Sequence, residues 1–280
     1  MGSFQYYVGG FFYMNNRFPF PLSLQLTLPE NYLSNSDFSG VMAALKKYSF
    51  VGVEINIIKP VNIDTGELKS YLQSYNLRLT MFATGVTAKA SGLSLADEVE
   101  EKRALAIEKC LGFIDFAREF EAGIIIGFLK GGTAADKSRA RRLFTESIES
   151  IAPHAEACRV PVLVEATNRY ESSVANGLDD TVELMAGIKN RYLRILPDTF
   201  HMNIEESNMF AVLKKYSQYY DSIHFSDNNR FFPGRGAIDF ARIISFLKEI
   251  NYQGGVGIEG NIKTDLTADI HATMEYLTSL

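Results

Sequence analysis

Apolar and polar positions alternate along this chain on the scale of whole elements: short, nearly uninterrupted apolar runs are separated by longer stretches with helical spacing. The apolar runs are SLQLTL, VGVEIN, LRLTMFA, GIIIG, PVLVE, LRILPD, SIHFS and GVGIE, at 23–28, 51–56, 77–83, 123–127, 161–165, 193–198, 222–226 and 255–259. Runs of this kind, rich in branched side chains, are typical of buried parallel strands. The pattern therefore predicts eight parallel strands.

The segments between the runs repeat apolar residues at the spacing of one helix face. They predict helices at 38–48, 95–120, 137–158, 179–189, 209–216, 239–250 and 266–280. A series of eight strand–helix units in about 250 residues has the size of a (β/α)₈ TIM barrel. An open doubly wound sheet is the competing fold, but no GxGxxG motif follows the first strand. We therefore expect an α/β fold with a single TIM barrel over residues 22–280.

Residues 1–21 precede the first strand and form a separate, aromatic-rich N-terminal extension. Its stretch at 4–20 holds eight aromatic side chains in seventeen residues. One interpretation is a plug that covers the bottom of the barrel. The other is a lid or a subunit-contact arm, because exposed aromatic patches commonly mark contact surfaces.

Composition narrows the classes of function. The 280 residues carry 28 basic and 33 acidic side chains, a net charge of −5, which argues against a nucleic-acid partner or an anionic membrane surface. Two cysteines cannot build a disulfide framework, so we expect a reducing, cytoplasmic setting. No apolar run approaches the roughly 20 residues of a membrane span. The first basic residue is Arg17, which is not the pattern of a secretory signal.

Candidate chemistry lies where the last four predicted strands end. Glu165, Asp198, His224 and Glu259 occupy these positions, and the carboxyl ends of TIM-barrel strands meet at one face. Three carboxylates and an imidazole at that face would repel one another without a cation. The donor set favours one divalent metal, Mn²⁺ first, with Mg²⁺, Co²⁺ or Zn²⁺ as alternatives, because the set includes no thiolate.

Each of these residues also has a simpler interpretation. Glu165 or Glu259 alone could be a solvated carboxylate at a strand end, and His224 alone could be a satisfied core histidine. Asp198 could be a helix cap. Their occurrence on four successive strands is what favours a common site. The loops that follow are dense in hydrogen-bonding side chains, as expected for a polyhydroxylated ligand.

Three motifs and a late glutamate resemble the sugar isomerase/epimerase superfamily with a xylose isomerase-like barrel, and most closely its D-tagatose and D-psicose (ketose) 3-epimerase branch. They are E-x-x-N-R-x-E at 165–171, DTFHMNIEE at 198–206, H-x-x-x-x-N-R-x-x-P-G-x-G at 224–236, and Glu259. The separations of 33, 26 and 35 residues between the four strand-end positions also fit that branch. The resemblance runs from Phe38 to the C-terminus and is strongest over 165–259.

The resemblance implies a divalent-metal-dependent sugar epimerase or isomerase that acts on a ketose through a cis-enediolate. It implies that the metal is held by Glu165, Asp198, His224 and Glu259. It also implies that Glu165 and Glu259 act as the acid/base pair. Substrate oxygens would be contacted by Glu171, His201 and Arg230, on loops. Barrels of this branch are commonly dimers or tetramers, so a homo-oligomer is expected.

Alternative functions remain open within the superfamily. A lyase, either like inosose dehydratase or a C-glycoside-cleaving subunit, would begin with the same deprotonation. Ala166 stands where a bulkier residue or proline is common in this family, so the resemblance does not determine which sugar is the substrate. The endonuclease IV branch is disfavoured, because it needs more histidines than the four present and a basic face.

Other polar features carry less weight. Lys130 with Gly131 and Gly132 could form a phosphate-binding nest, although a plain turn between strand and helix is the simpler interpretation. Cys110 and Cys158 lie in helical stretches and are predicted to be small core residues. The helical histidines, His154 and His271, have no partner motif and are predicted to be structural or solvated.

Overall fold

The computed structural model describes residues 18–58 and 63–280. Eight parallel strands alternate with helices along this part of the chain. The strands are β1 Leu22–Thr27, β2 Gly52–Asn56, β3 Arg78–Ala83, β4 Gly123–Ile126, β5 Val162–Glu165, β6 Leu193–Leu196, β7 Ser222–Phe225 and β8 Gly255–Ile258. All eight predicted strands are confirmed, each within a residue or two of its predicted bounds.

The helices lie around the strands. They are α1 Ser36–Lys47, α2 Thr65–Ser74, α3 Gly85–Ser91, α4 Glu100–Glu119, α5 Lys137–Cys158, α6 Gly177–Met185, α7 Thr199–Glu205, α8 Met209–Lys215, α9 Phe240–Glu249 and α10 Leu266–Ser279. The seven predicted helices are confirmed, with α4 beginning five residues later and α6 ending four residues earlier than predicted. Sequence periodicity missed α2, α3 and α7. The reason is that α2 buries only Leu68 and Leu72, and α3 and α7 are seven residues long.

The strands form one sheet in the order β6-β5-β4-β3-β2-β1-β8-β7. Its two edges meet through backbone contacts between β6 and β7. The His224 N–H donates to the Pro197 oxygen (2.8 Å), and the Ile195 N–H donates to the Tyr219 oxygen (3.0 Å). This closes the eight strands into a barrel and confirms the predicted fold class.

Strand parity decides which side chains enter the barrel. Alternate residues of β3–β6 form a small apolar cluster, separate from the larger core beneath the helices: Met81, Ala83, Ile125, Leu163 and Leu196. Successive side chains of a strand point to opposite faces. Glu165 and Asp198 each lie two positions beyond Leu163 and Leu196, so they continue the interior face at the carboxyl end of the barrel.

The described end of the aromatic extension is buried. Phe18 and Phe20 are 4% and 7% exposed, and their rings lie edge-on to Phe225 at 6.5 Å and to Tyr252 at 5.6 Å. Both therefore belong to the larger core beneath the helices. Residues 1–17 lie outside the described residues, so the choice between plug, lid and contact arm stays a prediction. In the described part of the chain, no helix combines the length and apolar character needed to cross a membrane.

Candidate metal and substrate site

The four strand-end side chains converge at the carboxyl end of the barrel. Glu165, Asp198, His224 and Glu259 each present one ligand atom, and these atoms all lie within 4.8 Å of one another. The first three residues are buried and Glu259 is half-buried. The structure thus brings together the four residues that the sequence singled out.

Three of these atoms form close charged contacts but no hydrogen bond of good geometry. His224 Nδ1 lies 2.6 Å from Glu259 Oε2 and 3.8 Å from Glu165 Oε1. All three atoms are buried and, within the described part of the chain, none makes a hydrogen bond. Buried polar atoms almost always have partners, so three orphans facing one point need an explanation. A divalent cation at that point would supply it, and the oxygen and nitrogen donors fit such an ion.

Glu54 on β2 fixes the orientation of the His224 ring. Its Oε2 lies 2.8 Å from His224 Nε2, and its Oε1 accepts a hydrogen bond from the Ser23 hydroxyl at 2.6 Å. A proton on Nε2 leaves the Nδ1 lone pair free for a metal, the usual arrangement of a carboxylate behind a ligating histidine. Glu54 was not among the predicted site residues. The sequence did offer a signal, because Glu54 is a charged residue inside the apolar run VGVEIN, and the structure buries it at 1% exposed.

The electrostatics of the cluster favour added positive charge. Burial by itself lowers the pKa of His224, but the nearby carboxylates of Glu54, Glu165 and Glu259 outweigh burial and hold that pKa well above its ordinary value. In the absence of another cation, the carboxylates therefore favour a protonated His224 imidazole. A divalent ion would satisfy the same negative field.

The two carboxylate oxygens of Asp198 have different partners. Oδ1 accepts from the backbone N–H groups of Phe200 (2.7 Å) and His201 (3.3 Å), so the predicted helix-cap interpretation is confirmed at the start of α7. Oδ2 faces the cluster and accepts from Arg230. Burial by itself raises the pKa of Asp198. The positive charge of Arg230, together with His201 and His224, outweighs burial and lowers that pKa to about 2. Capping and ligation are therefore compatible in one residue.

Arg230 bridges two of the candidate ligands. Its guanidinium donates to Asp198 Oδ2 at 2.7 Å and to Glu259 Oε1 at 2.6 Å, and it lies 4.9 Å above the Phe200 ring. Although burial lowers its pKa, Asp198 and Glu259 keep it above the ordinary value. Arg230 was predicted to contact substrate, and it also lines the pocket at this end of the barrel.

The loop that carries Arg230 is folded around the buried Asp227. The Asp227 carboxylate accepts from four backbone N–H groups between 2.7 and 3.1 Å, those of Asn228, Gly234, Gly236 and Ile238. Gly234 has φ +89°, and a Cβ on Gly236 would collide with Asp227. The tight turn predicted for this loop is confirmed, and Asp227 is a supporting residue that sequence analysis did not identify.

His201 lies on α7, not on a loop as predicted. Its Nδ1 accepts from the Asn168 backbone N–H at 3.2 Å, which places the proton of the neutral ring on Nε2. Nε2 lies 3.8 Å from Glu165 Oε1. His201 therefore offers a hydrogen-bond donor beside the four candidate metal ligands.

The E-x-x-N-R-x-E motif is tied to the DTFHMNIEE motif. Asn168 Nδ2 lies 2.9 Å from Glu171 Oε1 and 2.8 Å from His201 Nδ1. Arg169 forms a two-pronged ion pair with Glu205, at 3.0 and 2.8 Å. Much of the conspicuous polarity of these motifs therefore positions Glu171 and His201. Glu171 itself is exposed at the pocket mouth.

Lys130 lies in the pocket wall. It is 1% exposed, and its Nζ donates to the Glu165 backbone oxygen at 2.5 Å. Burial lowers its pKa to about 8, against the opposing charges of Glu165 and Glu171. Residues 128–130 form a 3₁₀ turn closed by the Gly131 N–H on the Phe128 oxygen, which favours the plain-turn interpretation over a phosphate nest.

Comparison with known proteins identifies the family. The model of the xylose isomerase-like TIM barrel family matches residues 42–280. The chain belongs to this family. Its membership confirms the resemblance drawn from the motifs and agrees with the observed barrel.

The relatives include several named epimerases. D-psicose 3-epimerase of Enterocloster bolteae is 30% identical over 203 residues, a match that covers 69% of this chain and 65% of that relative's own length. The 3-dehydro-D-guloside 4-epimerase of Escherichia coli is 26% identical over 251 residues, 86% of this chain and 91% of the relative. The solved apo structure of the E. coli 3-keto-D-glucoside 4-epimerase superposes with a TM-score of 0.79 at 23% identity, over 93% of this chain and 100% of that one.

Replacing Glu54 with glutamine is expected to weaken metal binding by about tenfold or more, because partners behind a ligating histidine contribute that much. Glutamine keeps the size of the side chain but removes the charge that holds the Nε2 proton. Calorimetric titration with Mn²⁺ would measure the change. Glu67→Gln, a change of the same kind on α2, is the matched control; equal affinity in the Glu54 variant and the wild type would contradict the assigned role.

Proposed function

We propose that this chain is a divalent-metal-dependent sugar epimerase that acts on a ketose. It would invert the carbon next to the ketone by removing and returning that carbon's proton, through a cis-enediolate. The observation that carries the proposal is the convergence of four ligand atoms, three of them buried and without a hydrogen-bond partner, beside a pocket at the carboxyl end of the barrel.

The donors fit one divalent ion, held by Glu165, Asp198, His224 and Glu259. We propose Mn²⁺, with Mg²⁺, Co²⁺ and Zn²⁺ as alternatives, since carboxylate oxygens and one imidazole suit these ions. When bound, such an ion polarises the ketone and stabilises the negative charge of the enediolate.

Glu165 and Glu259 are the proposed acid/base pair. Glu165 is the last residue of β5 and Glu259 follows β8, three strands away in the ring, so a substrate between them is approached from two sides. One carboxylate takes the proton from one face of the carbon, and the other, protonated, returns a proton to the opposite face. The Arg230 hydrogen bond to Glu259 Oε1 holds that carboxylate in place.

Three further side chains are proposed to bind the sugar. His201 would donate a hydrogen bond from Nε2 to a substrate oxygen. The positive charge of Arg230 would stabilise substrate oxygens that become negative during the reaction. Glu171, at the mouth, would accept a hydrogen bond from a hydroxyl. The Asn168 side chain contacts both Glu171 and His201 and so fixes their positions relative to each other.

The names of the relatives support this chemistry over the alternatives. A ketose 3-epimerase inverts the carbon beside the C2 ketone, and a 4-epimerase of a 3-dehydro sugar inverts the carbon beside a C3 ketone. The two reactions share proton removal next to a ketone. This favours epimerisation over the dehydratase and C-glycoside-cleaving reactions, which add the loss of a leaving group after the same first step.

Incubation with Mn²⁺ and a panel of free ketoses tests the proposal. Psicose, fructose, tagatose and sorbose, together with a 3-keto glycoside, would be analysed for products by chromatography and NMR. The expected product is the epimer at the carbon beside the ketone. An aldose would instead indicate isomerisation, and a product that has lost water or an aglycone would indicate a lyase.

The setting of the enzyme is also a proposal. The net charge of −5 and the presence of two unpaired cysteines support a reducing cytoplasm and disfavour a nucleic-acid partner. A homodimer or homotetramer is proposed from the family resemblance. Light scattering would measure the oligomeric state.

A further inference from the structure

A second cluster of metal-binding side chains lies on the outer helical layer, apart from the barrel mouth. Asp115 on α4 faces His154 and Cys158 on α5, and the three present one ligand atom each within 4.8 Å of one another. His154 and Cys158 are four residues apart, so they share one face of α5. All three are half-buried, which leaves the cluster accessible to solvent.

The two distances to sulfur match the edges of a tetrahedral zinc site, and the distance between nitrogen and oxygen is about 0.3 Å shorter than its edge. Bonds of about 2.3 Å to sulfur and about 2.0–2.1 Å to nitrogen or oxygen, at tetrahedral angles, give edges of about 3.5–3.6 Å that include sulfur and about 3.3 Å between nitrogen and oxygen. Cys158 Sγ lies 3.5 Å from His154 Nε2 and 3.6 Å from Asp115 Oδ1. His154 Nε2 lies 3.0 Å from Asp115 Oδ1.

The donor set separates this cluster from the catalytic one. A thiolate with an imidazole and one carboxylate selects softer ions than the oxygen-rich set at the barrel mouth. The Cys158 thiol donates to Asp115 Oδ1, and Arg118 Nη1 lies 3.8 Å from Cys158 Sγ. A cation that binds sulfur would displace the thiol proton from this contact.

We propose that Asp115, His154 and Cys158 form a Zn²⁺ site that joins α4 to α5, with a water molecule as the fourth ligand. Binding converts the Cys158 thiol into a zinc-bound thiolate and releases one proton to solvent. The ion binds the folded pair of helices more tightly than the unfolded chain, so it stabilises the outer layer of the barrel. This site is independent of the reaction at the barrel mouth.

Cobalt(II) is the probe, because a thiolate bound to tetrahedral cobalt gives a sulfur-to-metal charge-transfer band in the near ultraviolet and strong visible bands. The wild-type protein, titrated with Co²⁺ under reducing conditions, is expected to show both. Cys158→Ser should lose the charge-transfer band, and His154→Ala should weaken Co²⁺ binding at this site by at least tenfold. Zn²⁺ should bleach the wild-type spectrum and raise its melting temperature more than that of Cys158→Ser.

Two controls make the test specific. Cys110 is fully buried and burial raises the pKa of its thiol to about 12, so Cys110→Ala should retain the band. His271 on α10 bonds to Tyr48 at 2.8 Å and lies outside the cluster, so His271→Ala should also retain it. A wild-type spectrum without the charge-transfer band, or a band that survives in Cys158→Ser, would overturn the proposal. Either outcome leaves the catalytic metal untouched, since that site contains no sulfur.

Discussion

Replacing Glu259 with glutamine is expected to lower kcat by about a thousandfold or more while the barrel stays folded. Glutamine preserves the hydrogen bond from Arg230 but can neither take nor return a proton. General acid–base catalysis by one group typically contributes between a hundredfold and ten-thousandfold. Steady-state rates with the best ketose of the panel would give the loss, and circular dichroism would confirm the fold.

The matched control for this variant is Glu249→Gln, the same chemical change at an exposed position near the end of α9. Its rate should equal that of the wild type. Glu259 is also a proposed ligand, so the metal content of the variant should be measured and Mn²⁺ supplied in excess. More than a tenth of the wild-type activity in the loaded Glu259 variant would contradict its role as acid or base.

Removal of divalent metal by dialysis against a chelator is expected to abolish turnover, and Mn²⁺ is expected to restore it. Without the ion, the enediolate lacks its main source of stabilisation. The melting temperature should fall as well, because an ion at a thousand times its dissociation constant contributes about 4 kcal/mol to the free energy of unfolding.

The Cys158→Ser variant is the right background for this experiment, because it removes the proposed second site and leaves the barrel mouth intact. Metal analysis before the assay should show less than a tenth of an equivalent per chain. Adding Mg²⁺, Co²⁺ or Zn²⁺ in place of Mn²⁺ would rank the ions. A verified metal-free protein with full activity would contradict the metal-dependent account.

The fold could be predicted because each strand has its own signal. Runs such as PVLVE and GVGIE are short, branched and regularly spaced, and every one of the eight is a strand in the structure. Helices with a full apolar stripe, such as α5, could be predicted equally well from the spacing of their apolar residues. The short α3 and α7 were not, because seven residues are too few to establish a periodicity.

The candidate ligands could be predicted because strand ends converge in a barrel, whatever the sequence between them. The residues that support them could not. Glu54 bonds to His224 across 170 positions of sequence, and Asp227 acts through backbone N–H groups that no side-chain pattern records. Likewise, Cys158 was predicted to be a small core residue and His154 to be structural or solvated, since Asp115 meets them only when α4 packs on α5.

The central claim is that the barrel mouth removes a proton from the carbon beside a ketone. Incubating the Mn²⁺-loaded protein in D₂O with psicose, fructose, tagatose and sorbose, and reading deuterium by NMR, tests it most directly. We expect deuterium at C3 together with the epimeric ketose, and none with Glu259→Gln. No exchange at the carbon beside the ketone, with any of these sugars or with a 3-keto glycoside, would contradict it.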